Sequence, residues 1–272
     1  MYRSFKSCPF IFFLLISTFL FLPSFPISAP GQEKTPTAEQ IAETVVVVYG
    51  SRNALNQIRR NGIERGRLTR INADGRAEES TYERRFIRGE ATAKDRVRLD
   101  QKLPSAEYAL VYGSGTVWGI VGNSIFSPRE EAKSDFLSTM WHDLEGLLRY
   151  KENASTLALV GKEKHKNIDM WVLDVVDAEK RSTRYYISSQ TYRVLWLEYE
   201  QPSVDPQKPN KFRKTFHDYR VAQQTLVPFR SVLFQNGSQV SQRQVLTVTY
   251  GVKMDESLFR NAEASNASLK NQ

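Results

Sequence analysis

Hydrophobic residues first recur at helical spacing. Thr37-Ala38-Glu39-Gln40 is a capping box, and Ile41, Val45 and Val48 follow it on one face of a predicted helix. The β-branched run Val45 to Val48 opposes that helix, because χ1 is restricted against the preceding turn. Gly50-Ser51 breaks the segment, and a short second helix through Leu55 and Ile58 is predicted to end by Gly62. The pattern then becomes extended. Strands are predicted over 63–71, 80–88 and 95–101, with turn chemistry at Asn72-Ala73-Asp74-Gly75. Tyr108, Leu110 and Tyr112 form one face of the next strand, and Val117 to Ile120 returns after Gly113-Ser114-Gly115.

Ser127-Pro128-Arg129-Glu130 predicts a second helical region, with Ser127 as N-cap, Pro128 at the first helical position and Glu130 as reciprocal partner. It is expected to run to about Tyr150. Phe136, Met140, Leu144 and Leu147 form its apolar stripe, and Leu137, Trp141 and Leu148 widen it. Everything after it reads as strand: 156–163, 168–176, 182–188, 193–200, 211–221, 226–235 and 240–252. Asn236-Gly237 is a hairpin turn, and the three-proline stretch QPSVDPQKPN is a loop. Asp255 to Phe259 is a short terminal turn, and 261–272 reads as a disordered tail.

In RYYISSQTYRVLWLEYE (Arg184–Glu200) the second strand is apolar on both faces. Simple alternation puts Leu195, Leu197 and Tyr199 on one side and Val194, Trp196 and Glu198 on the other. Both sides therefore need cover. The architecture predicted is α+β: a large antiparallel sheet, which must curl, preceded by a helix and carrying an inserted amphipathic helix inside the curl. No repeat or boundary divides 32–260, so it is read as a single domain.

Composition adds a compartment. Arg3 and Lys6 precede a thirteen-residue apolar run, Phe10 to Leu22, then Pro23, Pro26 and small residues. A span needs roughly 20 residues, so 1–31 reads as a cleaved secretory signal peptide, with the periplasm as destination. Cys8, the single cysteine, falls inside that leader, which leaves no disulfide and no thiol chemistry for the mature chain. Removing Arg3 and Lys6 takes the net charge from +8 to +6. Residues 52–98 hold thirteen Lys or Arg against seven Asp or Glu. Two readings stand for this stretch: a solvated sheet face, or a surface for an anionic membrane or an acidic partner; export argues against nucleic acid.

Candidate chemistry is sparse. His142, His165 and His217 have no second histidine at ligand spacing, and no G-x-S-x-G elbow or G-x-G-x-x-G turn occurs in a suitable context. No metal or cofactor is expected. His142-Asp143 and His217-Asp218 are the pairs a hydrolase would use. Asn153, Asn236 and Asn266 match the glycosylation acceptor pattern, which is short and common.

The order of segments across 168–260 carries a resemblance. Asp218-Tyr219-Arg220 ends one strand, Val227-Pro228 lies in the next, and the final strand runs into Lys253-Met254-Asp255-Glu256-Ser257-Leu258-Phe259. This resembles the LolA/LolB-like superfamily of outer-membrane lipoprotein-sorting carriers. The resemblance implies a half-barrel whose helices close a hydrophobic cavity, in an envelope protein without a catalytic centre. It implies a lipid or lipoprotein acyl chain as ligand. The lining is expected from Tyr108, Leu110, Tyr112, Phe136, Met140, Trp141, Leu144, Trp171, Leu173, Tyr185, Leu195, Leu197 and Tyr199. Two other readings stay open: an envelope sensor or scaffold that binds another protein with the same fold, and a hydrolase.

Overall fold

The computed structural model describes residues 35–260, apart from 73, 204 and 206. The leader and the tail expected from the sequence lie outside the described residues. Two helices, α1 (Ala38–Tyr49) and α2 (Arg52–Ile58), open the fold. Thr37 Oγ1 accepts from Gln40 N at 3.2 Å and Gln40 Oε1 accepts from Thr37 N at 2.8 Å, so the capping box forms. Tertiary burial overrides the weak propensity of the valine run: Ile41, Val45, Val46 and Tyr49 are fully buried.

Thirteen strands make one antiparallel sheet. The first meander comprises β1 (Asn61–Ile71), β2 (Ala77–Ile87), β3 (Arg96–Lys102), β4 (Glu107–Gly113), β5 (Thr116–Val121) and β6 (Ser124–Phe126). The second comprises β7 (Thr156–His165), β8 (Ile168–Val176), β9 (Ser182–Ser188), β10 (Val194–Gln201), β11 (Asn210–Ala222), β12 (Thr225–Gln235) and β13 (Ser238–Tyr250). Their order is β6-β5-β4-β3-β2-β1-β13-β12-β11-β10-β9-β8-β7, so the two meanders join through β1 and β13, and β6 and β7 are the free edges. The sheet is open and curved, a half-barrel. Between β6 and β7 the chain forms α3 (Glu130–Trp141) and α4 (Leu144–Leu148), which carry it from one edge to the other.

Three local predictions need correction. The inserted helix is two helices, not one. It starts at Glu130 with Arg129 as N-cap, and no side chain caps it; Ser127 lies outside the helix. The break falls at His142-Asp143, where the Asp143 side chain accepts from Leu144 N and caps α4. Gly146 allows this turn to sit against β9, because a Cβ there would lie 2.6 Å from the Tyr185 hydroxyl.

The third correction answers the double-faced strand. Val194 pairs with Ile187 but Trp196 pairs with Tyr186, so Leu195 is the extra residue of a β-bulge. The bulge moves Val194 to the helix side with Leu197 and Tyr199, and sends Leu195 outward with Trp196. Two tyrosines satisfy the backbone that the bulge frees: Val194 N donates to Tyr49 Oη (3.2 Å), and Tyr219 Oη donates to Val194 O (2.6 Å). The two hydroxyls also meet each other at 2.8 Å. A second irregularity links the two motifs behind the family resemblance. Asp218 has φ of 53° and is skipped by the ladder, which passes from His217–Arg230 to Tyr219–Pro228. Proline, lacking an N–H, is tolerated inside a sheet at such a place.

Candidate functional site

The concave side carries two apolar clusters. In the first, α1, Leu55 and α4 press on β8–β12: Leu147, Leu173, Tyr185 and Leu197 have no exposed surface. In the second, Phe136 and Met140 of α3 meet Phe86, Val97, Leu110 and Tyr112 of the first meander, together with Phe229, Val245 and Tyr250. The expected lining residues divide between them. Tyr108, Leu110, Tyr112, Phe136, Met140 and Trp141 belong to the second cluster. Leu144, Trp171, Leu173, Tyr185, Leu197 and Tyr199 belong to the first. Leu195 is the exception: it lies on the opposite face of the sheet, with Met170, Val172, Tyr186 and Trp196. That outer cluster is what covers the second side of the strand.

Charged groups hold α4 in place. Glu145 binds Arg59 at 3.2 Å and also Arg88, while Arg59 donates to Leu226 O (2.7 Å) and Thr225 Oγ1 (3.1 Å). Burial alone would raise the Glu145 carboxyl, but Arg88, Arg59 and Arg149 outweigh it and hold it down at about 2. Asp143 binds Lys214 at 2.9 Å. Burial opposes its ionised form too, yet Lys214 and Arg243 keep its carboxyl below the ordinary range. Arg149 reaches Asp95 (2.8 Å) and Gly89 O (2.9 Å), tying the end of α4 to the β2–β3 connection. None of this pairing was foreseen; the partners of Glu145 are 86 and 57 residues away.

Sequence-adjacent His-Asp pairs do not form dyads. His142 Nδ1 meets Thr183 Oγ1 at 2.7 Å, and its ring stacks on Tyr199 with centroids 4.0 Å apart. Burial pushes its pKa down to about 4. His217 Nε2 meets Thr215 Oγ1 at 2.9 Å, whereas Asp218 is held by Arg220 at 2.7 Å. Among the described residues no group of three His, Cys, Asp or Glu is placed to hold a metal ion. The basic stretch is largely neutralised within the fold: Arg52, Arg59, Arg65, Arg85, Arg88, Arg96 and Arg98 each contact a carboxylate. This pairing gives no support to an anionic surface or an acidic partner there.

Among the described residues, two hollows border the helices and the sheet. A cleft of about 230 Å³ lies where the β2–β3 connection, α4, the segment before β7 and the β8–β9 turn converge. Its wall includes Trp141 and Tyr185, which belong to the two concave clusters. An open trough of about 1330 Å³ runs past His142, Tyr199 and Phe212 and out over Arg184, Glu198 and Arg213. No helix of the described residues is long and apolar enough to cross a membrane.

No family model matches the chain, and no curated protein matches it. Solved structures do. A DUF1329 family protein from Desulfovibrio piger is 11% identical with a TM-score of 0.59, covering 84% of this chain and 99% of its own. A LolA superfamily protein from Nitrosomonas europaea is 11% identical with a TM-score of 0.57, covering 84% and 100%. An outer membrane lipoprotein-sorting protein domain from Vibrio parahaemolyticus is 12% identical with a TM-score of 0.55, covering 80% and 97%. The chain has the LolA-like fold, reached with a widely divergent sequence.

Proposed function

We propose that the protein is an exported, soluble, non-catalytic binding protein of the bacterial envelope. It takes lipid or lipoprotein acyl chains between the sheet and the helices. The observation that carries this reading is the concave face itself: two apolar clusters under one crossing segment, of which α3 is pinned by apolar side chains and few polar bonds. The signal-like leader supports export, and the unpaired His-Asp neighbours support a role without catalysis. Because Leu147, Leu173 and Leu197 are fully enclosed, the chain enters where α3 lifts from the second cluster, around Phe136, Met140 and Leu110.

A sixteen-carbon chain gains roughly 0.8 kcal/mol per buried methylene, about 12 kcal/mol in all, against an association cost of about 4–15 kcal/mol. Micromolar affinity lies within that balance. Fluorescent fatty-acid titration of the purified, delipidated protein tests it, with native mass spectrometry for co-purified lipid. Binding that is lost in Met140→Asp, at temperatures where the fold persists, is the expected result. No bound lipid and no fatty-acid binding would overturn this reading. The closed packing of the first cluster favours a second one, a scaffold that meets another envelope protein with the same fold, and that negative result would leave it standing.

A further inference from the structure

The concave floor between the two apolar clusters is polar. Arg84 lies there, on the same face of β2 as Tyr82 and Phe86. Among the described residues its guanidinium has no hydrogen bond and no ion pair, and it rests over the Phe86 ring at 4.9 Å. Arg243 approaches from β13, on the other side of β1. It too makes no hydrogen bond among the described residues, and its one carboxylate within 4 Å is Glu64, at 3.6 Å. Glu64 already accepts from the Tyr82 hydroxyl at 2.7 Å. Arginine carries five N–H donors, so two guanidinium groups stand here with their donors unspent. They are also reachable. Arg84 is half-buried, the Arg243 side chain keeps 23% of its surface, and the neighbours of Arg243 across the sheet, Leu68 and Ser231, are half-buried as well.

The charges nearby favour an anion. Lys214 of β11 adds a third cation, and Asp143, 2.9 Å from it, is the second carboxylate. Three cations thus face two carboxylates. The adjoining cluster repeats the excess, with Arg59 and Arg88 on the single carboxylate of Glu145. At the exposed rim, Arg70 and Asp135 balance each other. A local excess of one sign attracts the opposite charge, and a guanidinium fork matches the paired oxygens of a carboxylate or a phosphate. Apolar surface begins directly beside it: Phe86, next to Arg84 on its face of β2, and Val245, next to Arg243 on β13, both belong to the second cluster. The floor therefore suits the acidic head of an amphiphile whose chain lies along that cluster.

We propose that Arg84 and Arg243, on either side of Glu64, bind the acidic head of an acyl ligand, a carboxylate or a phosphate. The proposal rests on the acyl-binding reading above and narrows it to anionic lipids. Lys214 stays with Asp143 and contributes charge, not contact.

Displacement of N-phenyl-1-naphthylamine, a neutral fluorescent probe of apolar sites, tests it on the purified protein. Palmitate is expected to bind about tenfold more tightly than monopalmitoylglycerol, the usual worth of a hydrogen bond to a charged group. Arg84→Met, which breaks no ion pair, and Arg243→Met are each expected to weaken palmitate about tenfold and monopalmitoylglycerol less than about twofold. Melting curves by circular dichroism check that both variants are folded. Equal affinity for palmitate and monopalmitoylglycerol, or palmitate affinity indifferent to Arg84→Met, would overturn the anion site and leave acyl binding in place. Binding of neither the probe nor any lipid would remove the acyl reading and the anion site with it. Palmitoyl lysophosphatidic acid separates the two heads, and either result supports the site. Tighter binding than palmitate, with the same sensitivity to Arg84→Met, identifies a phosphate, and weaker binding identifies a carboxylate.

Discussion

The two helices that cross the concave face are seated by different physics. Helix α4 has only five residues, Leu144–Leu148, yet it is fixed on both sides. Leu144, Leu147 and Leu148 fill the first cluster, while Glu145 and the flanking Asp143 and Arg149 form ion pairs in which Arg59, Lys214 and Arg149 are buried and the Glu145 and Asp143 carboxylates are partly buried. Helix α3 is longer, Glu130–Trp141, but Glu130, Glu131, Ala132, Ser134 and Asp135 are exposed. It holds on by Phe136 and Met140, by Ser138, which accepts from Gln201, and by His142 just past its end. Length does not set how firmly a helix is anchored here. A short helix with charges committed to buried partners is expensive to lift, whereas an amphipathic one can leave by exchanging one apolar surface for another. The boundary between the helix held by charge and the helix held by apolar contacts falls at His142-Asp143, and on the binding reading proposed above the hinge would lie there.

The comparison can be broken most directly at Glu145. Glu145→Gln leaves Arg59 and Arg88 buried without their counter-charge, and removing one partner of a buried pair costs about 3–5 kcal/mol. Urea denaturation is expected to show a loss of that order. A change within 0.5 kcal/mol, the range of an ordinary surface substitution, would mean that α4 is not held by charge.

Acid should act through the same anchor. The Glu145 carboxyl is lowered from 4.5 to about 2 in the folded protein. A depressed carboxylate contributes stability that is fully present above the unfolded value and is lost as pH falls through the folded one. The contribution is roughly 3 kcal/mol, lost between about pH 4.5 and 2. Denaturant midpoints measured across that window are expected to fall, and a flat profile would contradict the pairing.

Native-state hydrogen exchange sharpens the contrast between the helices. The amides of Phe136 to Trp141 are expected to open sub-globally, roughly 2 kcal/mol below those of α1 and α4. Equal protection across all three helices would remove α3 as the lid. At the smallest scale, Thr37→Ala is expected to cost about 1 kcal/mol through the capping box that forms. Ser127→Ala, outside its helix, should change thermal stability by less than about 0.5 kcal/mol.

Much of the fold could be read locally. Period-two alternation placed nearly every strand within three residues, and the capping box placed α1, because these signals depend on neighbours a few residues apart. That Leu110, Phe136, Met140, Leu173 and Leu197 avoid water followed from the same patterns, whereas which face of the sheet is concave did not. Nor did the facing of Leu195. A single inserted residue inverts the facing of its neighbours, and the bulge is held by Tyr49 and Tyr219, distant in sequence from Val194. The split of the inserted helix was equally hidden: its apolar stripe continues across His142-Asp143, and the break is fixed by Lys214, Tyr185 and Gly146. The cleft could not be read at all, since it is assembled where the β2–β3 connection meets the β8–β9 turn. By itself, the sequence determined which segments are strands and helices and which of their residues avoid water, since hydrophobic period and capping act over one turn or one strand. Only the tertiary structure decided which charges pair, where the register slips and which polar atoms are left buried without a partner. Those depend on distances between residues that the chain brings together only by folding.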